Sequence, residues 1–238
     1  MFGILGSIRR SWSSTSSAKT SFKNSLSCIS RIFFGPLPKD SKWIKPGRLH
    51  YIENDVEKHA DIIKTMDGVV VLLYNISRKK LIFVRQFRGA VYQGIYSGQN
   101  VEMSKGEADL EKFPPDIGIT LELCGGAVDK DKSLAEIAKE EVLEECGYEV
   151  PTKSLERVLD YRSGIGTSSS AMTLFYCEVC DGQKVSEGGG VDDEEIQVVE
   201  MPVEESNKLV EAGAVTNGGP SCLMGLLWFF LYKAPKVS

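Results

Sequence analysis

Histidine is nearly absent from the chain: His50 and His59 are the only two in 238 residues, and neither lies near an acidic or glycine-rich motif. A Ser-His-Asp or Cys-His mechanism needs a base beside its nucleophile, so that chemistry finds no footing here. Long apolar runs are missing too. The C-terminal stretch over residues 222–232 has eleven residues, far short of the roughly twenty that span a bilayer, so it predicts a core or dimer-surface helix and no membrane anchor. Six cysteines, Cys28, Cys124, Cys146, Cys177, Cys180 and Cys222, show no disulfide framework. Cys177 and Cys180 make a lone C-x-x-C on a predicted strand, where positions three apart face opposite ways, which argues against zinc or thiol redox chemistry.

Acidic residues are missing from the first 39 positions, which carry Arg9, Arg10, Lys19, Lys23, Arg31 and Lys39 among serines and scattered apolar residues. This is the composition of a mitochondrial presequence, with a disordered extension as the alternative. A single folded domain is therefore expected over residues 43–238, with residues 1–42 as an appendage. Taking those six from the 28 basic residues leaves 22 against 33 acids, a formal charge of −11. Nucleic acid is not an expected partner of such a surface.

Against these absences stands one dense feature, a helix over residues 133–146. Ser133 with Glu136 forms a capping box, and Gly147, following Cys146, supplies the left-handed residue that ends such helices. At about 100° per residue, Leu134, Ile137, Ala138 and Val142 fall on one side; Glu141 and Glu145 project into that apolar stripe and Glu144 lies at its edge. A buried, unpaired carboxylate costs several kcal/mol or gives up its charge, so a cation must compensate. Mg²⁺ fits best, with Mn²⁺ as a substitute, because it takes a few carboxylates and leaves positions for water and phosphate oxygens.

Short apolar runs at residues 69–74 and 81–85 read as a hairpin-like strand pair, and residues 119–124, 172–179 and 197–201 as further strands. Residues 203–212 read as a polar helix and residues 222–232 as a buried one. A mixed α/β fold follows. Residues 97–115 read as a hydrophilic insertion that either borders the substrate or forms plain surface.

The stretch GGAVDKDKSLAEIAKEEVLEECGY resembles the signature box of the Nudix hydrolases, with seven of its nine specified positions met, at Gly126, Glu141, Val142, Glu144, Glu145, Gly147 and Tyr148. Two positions depart: Lys132 stands where the family usually has Glu, and Glu140 where it usually has Arg. The missing Arg normally helps orient the metal carboxylates. The surrounding segments VVVLLYN, LIFVRQFRGAVY, ELCGG, DYRSGIGTSSSAMTLFYCEV and EGGGVDDEEIQVVEMP resemble the branch that hydrolyses nucleoside diphosphate sugars, and the chain is most similar to animal UDP-sugar pyrophosphatases from Pro46 to Ala234. That resemblance implies an α/β/α sandwich with a mixed sheet and a cytoplasmic homodimer with shared active sites. It further implies metal binding by Glu141, Glu144, Glu145 and the carbonyl of Gly125, with UDP-glucose cleaved to UMP and glucose 1-phosphate. ADP-ribose and ADP-sugars are the neighbouring substrates, and a binding protein with a weakened box is the non-enzymatic alternative.

The remaining candidates are cationic, glycine-rich or acidic. Arg85 and Arg88 follow a predicted strand, and the arginine fork suits phosphate oxygens; the resemblance favours Arg88. In the loop over residues 163–170, Gly166 and Thr167 offer backbone N–H groups to a phosphate or ribose. Among Asp192, Asp193, Glu194 and Glu195, alignment on Ile196 points to Glu194 and then Asp192 as the catalytic carboxylate, with Glu144 also among the catalytic candidates.

Overall fold

The computed structural model describes residues 29–37, 39–98, 106–212 and 217–234. Most of the presequence-like stretch, residues 1–28, lies outside them. In chain order the strands are β1 (Phe33–Phe34), β2 (Lys45–Glu53), β3 (Val56–Lys64), β4 (Gly68–Asn75), β5 (Lys80–Phe87), β6 (Gly106–Glu107), β7 (Ile119–Glu122), β8 (Cys124–Ala127), β9 (Glu156–Ser163), β10 (Ser170–Val179) and β11 (Gln197–Pro202). The helices are α1 (Gly89–Gly98), α2 (Leu134–Cys146), α3 (Val203–Glu211) and α4 (Pro220–Tyr232).

Seven strands build one mixed sheet in the order β11-β5-β4-β10-β9, with β7 added to β5 and β8 to β4. Among the described residues of this sheet, only the β4–β10 pairing is parallel. Alternation along the strands decides what each face meets. Val69, Val71, Leu73, Ile82 and Val84 pack with Ile137, Ala138, Val142 and Cys146 of α2. Leu72, Tyr74, Leu81 and Phe83 face the other way, onto Leu226 and Phe229 of α4. The expected sandwich results, with helices over both faces of a sheet too apolar to leave either one wet.

The middle of the sheet opens in a way that periodicity did not foretell. β4 pairs with β5 only over Leu73–Asn75 and with β8 over Gly68–Val71, while β5 continues along β7. The strand expected over residues 119–124 is therefore two, broken at Leu123, and they wedge the ends of β4 and β5 apart. Residues 108–115 are not plain surface: Ala108 and Phe113 are buried against Tyr92 and Tyr96 of α1, and the Tyr92 hydroxyl donates to the Phe113 carbonyl at 2.8 Å. Ordered packing begins ahead of Trp43, since Phe33–Phe34 pairs with β6 and Phe34 meets Tyr96.

Candidate active site

Helix α2 carries the site and is fixed at both ends. The Ser133 hydroxyl accepts from the Glu136 N–H while the Glu136 carboxylate accepts from the Ser133 N–H at 2.9 Å, and Gly147 closes the helix at φ 74°. Glu141, Glu144 and Glu145 of this helix line one cavity of about 810 Å³ together with Gly125, Arg88, Asp192 and Glu194. All the metal-ligand candidates and both loop-acid candidates meet there.

Glu145 is buried, at 4 % exposure, and accepts the Gly125 N–H at 2.9 Å. Burial, then repulsion from Glu141 and Glu194, pushes its carboxyl up to about 8, although the Gly125 N–H works against the shift. Glu141 is half-buried and is pushed up to about 7, first by burial and then by Glu144 and Glu194. The carboxylates thus lie close enough to repel one another in a site short of positive charge, as ligands of a divalent ion would. Among the described residues no three acidic, cysteine or histidine side chains are grouped closely enough to hold a metal ion as they stand. Carboxylates placed this way would suit Mg²⁺, which retains waters and takes phosphate oxygens and so needs only a few protein donors. The bare backbone of Gly126 leaves room for the Glu141 carboxylate: a Cβ there would lie 2.3 Å from Glu141 Oε1 and would push that side chain aside.

Across the cavity, the loop from Gly188 to Glu194 is hydrogen-bonded to the end of α2. The N–H groups of Gly189 and Gly190 donate to the carbonyls of Glu145 and Glu144 at 2.9 and 3.0 Å. These bonds satisfy two of the orphan carbonyls at the helix C-terminus. They also hold Glu194, whose carboxylate accepts the Val191 N–H at 3.2 Å, facing the metal candidates.

Arg88 lines the cavity in a two-pronged pair with Glu122, at 2.8 and 2.7 Å. Burial pushes the Glu122 carboxyl upward, but Arg88 and the Thr120 hydroxyl outweigh this and hold it below the usual carboxylate range. The pair also borders a second cavity of about 310 Å³, reaching Asn217 and Cys222. Three candidates are not part of the large cavity's wall. Arg85 turns toward β11, where it donates to Gln197 at 3.2 Å. The loop of Gly166 and Thr167 is engaged elsewhere, the Thr167 carbonyl accepting the Ile63 N–H at 2.9 Å. Sequence reasoning missed Glu122, although ELCGG was in view, because only its pairing with Arg88 gives it a role. It also missed Trp43, 65 % exposed yet lining the cavity.

No protein-family profile matches the chain. It is 38 % identical over 204 residues to a protein of Bos taurus named uridine diphosphate glucose pyrophosphatase NUDT14, covering 82 % of this chain and 91 % of that protein. The Mus musculus protein of the same name is 34 % identical, with 83 % and 93 % covered. A GDP-mannose pyrophosphatase of Cronobacter sakazakii is 32 % identical over 164 residues, 68 % of this chain and 74 % of that one.

Proposed function

The chain belongs to the Nudix hydrolases, and with that membership as premise we propose that it cleaves UDP-sugars, UDP-glucose foremost, to UMP and a sugar 1-phosphate with the help of Mg²⁺. It is a hydrolase of the diphosphate bond in nucleotide sugars. The observation that carries the finer reading is the convergence of Glu141, Glu144 and Glu145 on one cavity with Glu194 and Arg88.

Mg²⁺, held by Glu141, Glu144, Glu145 and the Gly125 carbonyl, would supply neutralisation of the diphosphate charge. Arg88 presents its planar fork to phosphate oxygens, with Glu122 setting its orientation. Glu194 takes a proton from the attacking water as the water oxygen bonds to phosphorus and the bridging oxygen departs with its electron pair. Asp192, on the same loop, is the second carboxylate within reach of that role. No covalent enzyme intermediate is needed, and alignment with charge stabilisation does most of the work. Trp43 offers an aromatic face on which a base can stack.

A homodimer belongs to the same proposal. β2 and β3 form a two-stranded ribbon separate from the main sheet, with every residue of β2 exposed, including Leu49, Tyr51 and Ile52. Such a ribbon is marginal on its own in water, and its apolar residues support coverage by a second copy. Light scattering after size exclusion should give twice the 26.2 kDa chain mass, and Ile52→Asp should shift it toward the monomer; a wild-type monomer would refute the dimer.

The functional reading is tested by nucleoside monophosphate release from UDP-glucose, GDP-mannose, ADP-ribose and ADP-glucose, with and without Mg²⁺. Mg²⁺-dependent UMP release in preference to GMP or AMP is the expected result. Preference for another nucleotide would reassign the base, and binding without turnover would leave a nucleotide-sugar binding protein.

A further inference from the structure

The two residues that depart from the box pattern, Lys132 and Glu140, face each other as an ion pair between the Lys132 ammonium and Glu140 Oε1. The other oxygen of Glu140 accepts from Lys130 Nζ at 3.0 Å. One carboxylate therefore holds two ammonium groups, and of the two lysines only Lys130 is among the residues that line the cavity. Glu140 is on the outer side of α2, yet through Lys130 it places a positive charge beside Glu141 and Glu144. An arginine at position 140 would repel Lys130 and Lys132, so the departures from the pattern are consistent with one another.

The charge balance of the cavity gives this cation a task. Among the described lining residues, seven acids face two cations, Arg88 and Lys130. Arg88 has two of its guanidinium nitrogens committed to Glu122. The ammonium of Lys130 has three donors, of which the bond to Glu140 uses one. We infer that Lys130, tethered by Glu140 with Lys132 behind it, is a diphosphate-binding residue at the rim of the metal cavity. This rests on the reading above that the site takes a nucleoside diphosphate ester.

The test uses the full chain as wild type, Lys130→Ala, Lys130→Arg, Glu140→Gln and the exchange Lys132→Glu/Glu140→Arg. KM and kcat for UDP-glucose are measured in saturating Mg²⁺, and binding of inorganic pyrophosphate in Mg²⁺ is measured by calorimetry. Loss of one charge-assisted bond predicts that Lys130→Ala raises KM and the pyrophosphate Kd about tenfold while kcat changes less than about threefold. Lys130→Arg restores most of the binding, and an unchanged melting temperature in Lys130→Ala separates binding from folding. Glu140→Gln weakens binding less than Lys130→Ala. The exchange variant keeps an ion pair between positions 132 and 140 but releases Lys130, so it should bind more weakly than wild type; full binding would overturn the tether through Glu140. Unchanged KM and Kd in Lys130→Ala would overturn the role of Lys130. A wild type that cleaves no nucleotide sugar would refute the functional reading alone, and pyrophosphate would still decide: weaker binding by Lys130→Ala sustains the inference, while equal or absent binding refutes it.

Discussion

Glu145 concentrates the physics of the site in one side chain. It follows Glu144 in the sequence, yet it is buried whereas Glu144 is only partly so, because α2 turns it toward the sheet. Its single backbone donor, the Gly125 N–H, is insufficient for an ionised carboxylate in that setting, and its pKa rises accordingly. Glu145→Gln retains an oxygen for the Gly125 N–H and removes the charge. Turnover should therefore fall about 100-fold or more, as for loss of a metal-site group, while circular dichroism stays native. Retained activity would sink the metal-site assignment. The same variant should melt higher than wild type in chelator at pH 8.5, where wild type bears the full cost of the buried charge. Glu194→Gln should behave differently, losing kcat by about 10²-fold or more as expected of a general base while Mg²⁺ still raises the melting temperature.

At the scale of the element, the functional unit is α2 with the loop from Gly188 to Glu194. Gly188 has φ 71°, and a Cβ there would lie 2.2 Å from the Glu145 carbonyl oxygen. Gly188→Ala must therefore strain the backbone or lift the loop, costing about 1–3 kcal/mol. The displacement should lower kcat more than it raises KM, since Glu194 moves relative to Glu141, Glu144 and Glu145; an equal effect on both would place the loop in substrate binding instead. This coupling marks the limit of what the sequence disclosed. Helix α2 was legible to its caps because the capping box, the 3.6-residue period and Gly147 are local signals. The sheet strands were legible as apolar runs, but the break at Leu123 was not, because it follows from pairing with both β4 and β5. The ribbon of β2 and β3 escaped notice because an exposed pair has no buried face to impose alternation. Arg85 and Arg88 are alike in residue type and close in sequence, the resemblance favouring Arg88, and only the structure turns one to Gln197 and the other to Glu122. Gly166 and Thr167 carried a plausible composition, but nothing local could say that their loop bonds to β3.

For the whole molecule, the buried carboxylates link proton binding to stability, and the proposed metal site would join that linkage. Glu141 and Glu145 shift from an ordinary value of 4.5 to about 7 and about 8 in the folded, metal-free chain. Between those limits the folded state holds more protons than the unfolded state. By linkage its stability must fall as pH rises through this window, the reverse of the usual carboxylate behaviour. Glu145, more deeply buried, carries the larger part; Glu141 is more screened by solvent. A divalent ion held by these groups would reverse the sign, because it would bind the deprotonated carboxylates and have to displace their protons at lower pH. In chelator, the melting temperature should therefore be lower at pH 8.5 than at pH 6. Saturating Mg²⁺ should raise it by about 3 °C or more at pH 8.5 and by about 1 °C or less at pH 6. A protein whose acids were merely a solvated face would show Mg²⁺ shifts that are small and alike at both pH values. The overall formal charge of −11 on the domain cannot generate the predicted contrast, because exposed carboxylates are already ionised at pH 6 and change little between the two conditions. A strong pH dependence of the Mg²⁺ shift that disappears in Glu145→Gln would trace the linkage to this buried side chain.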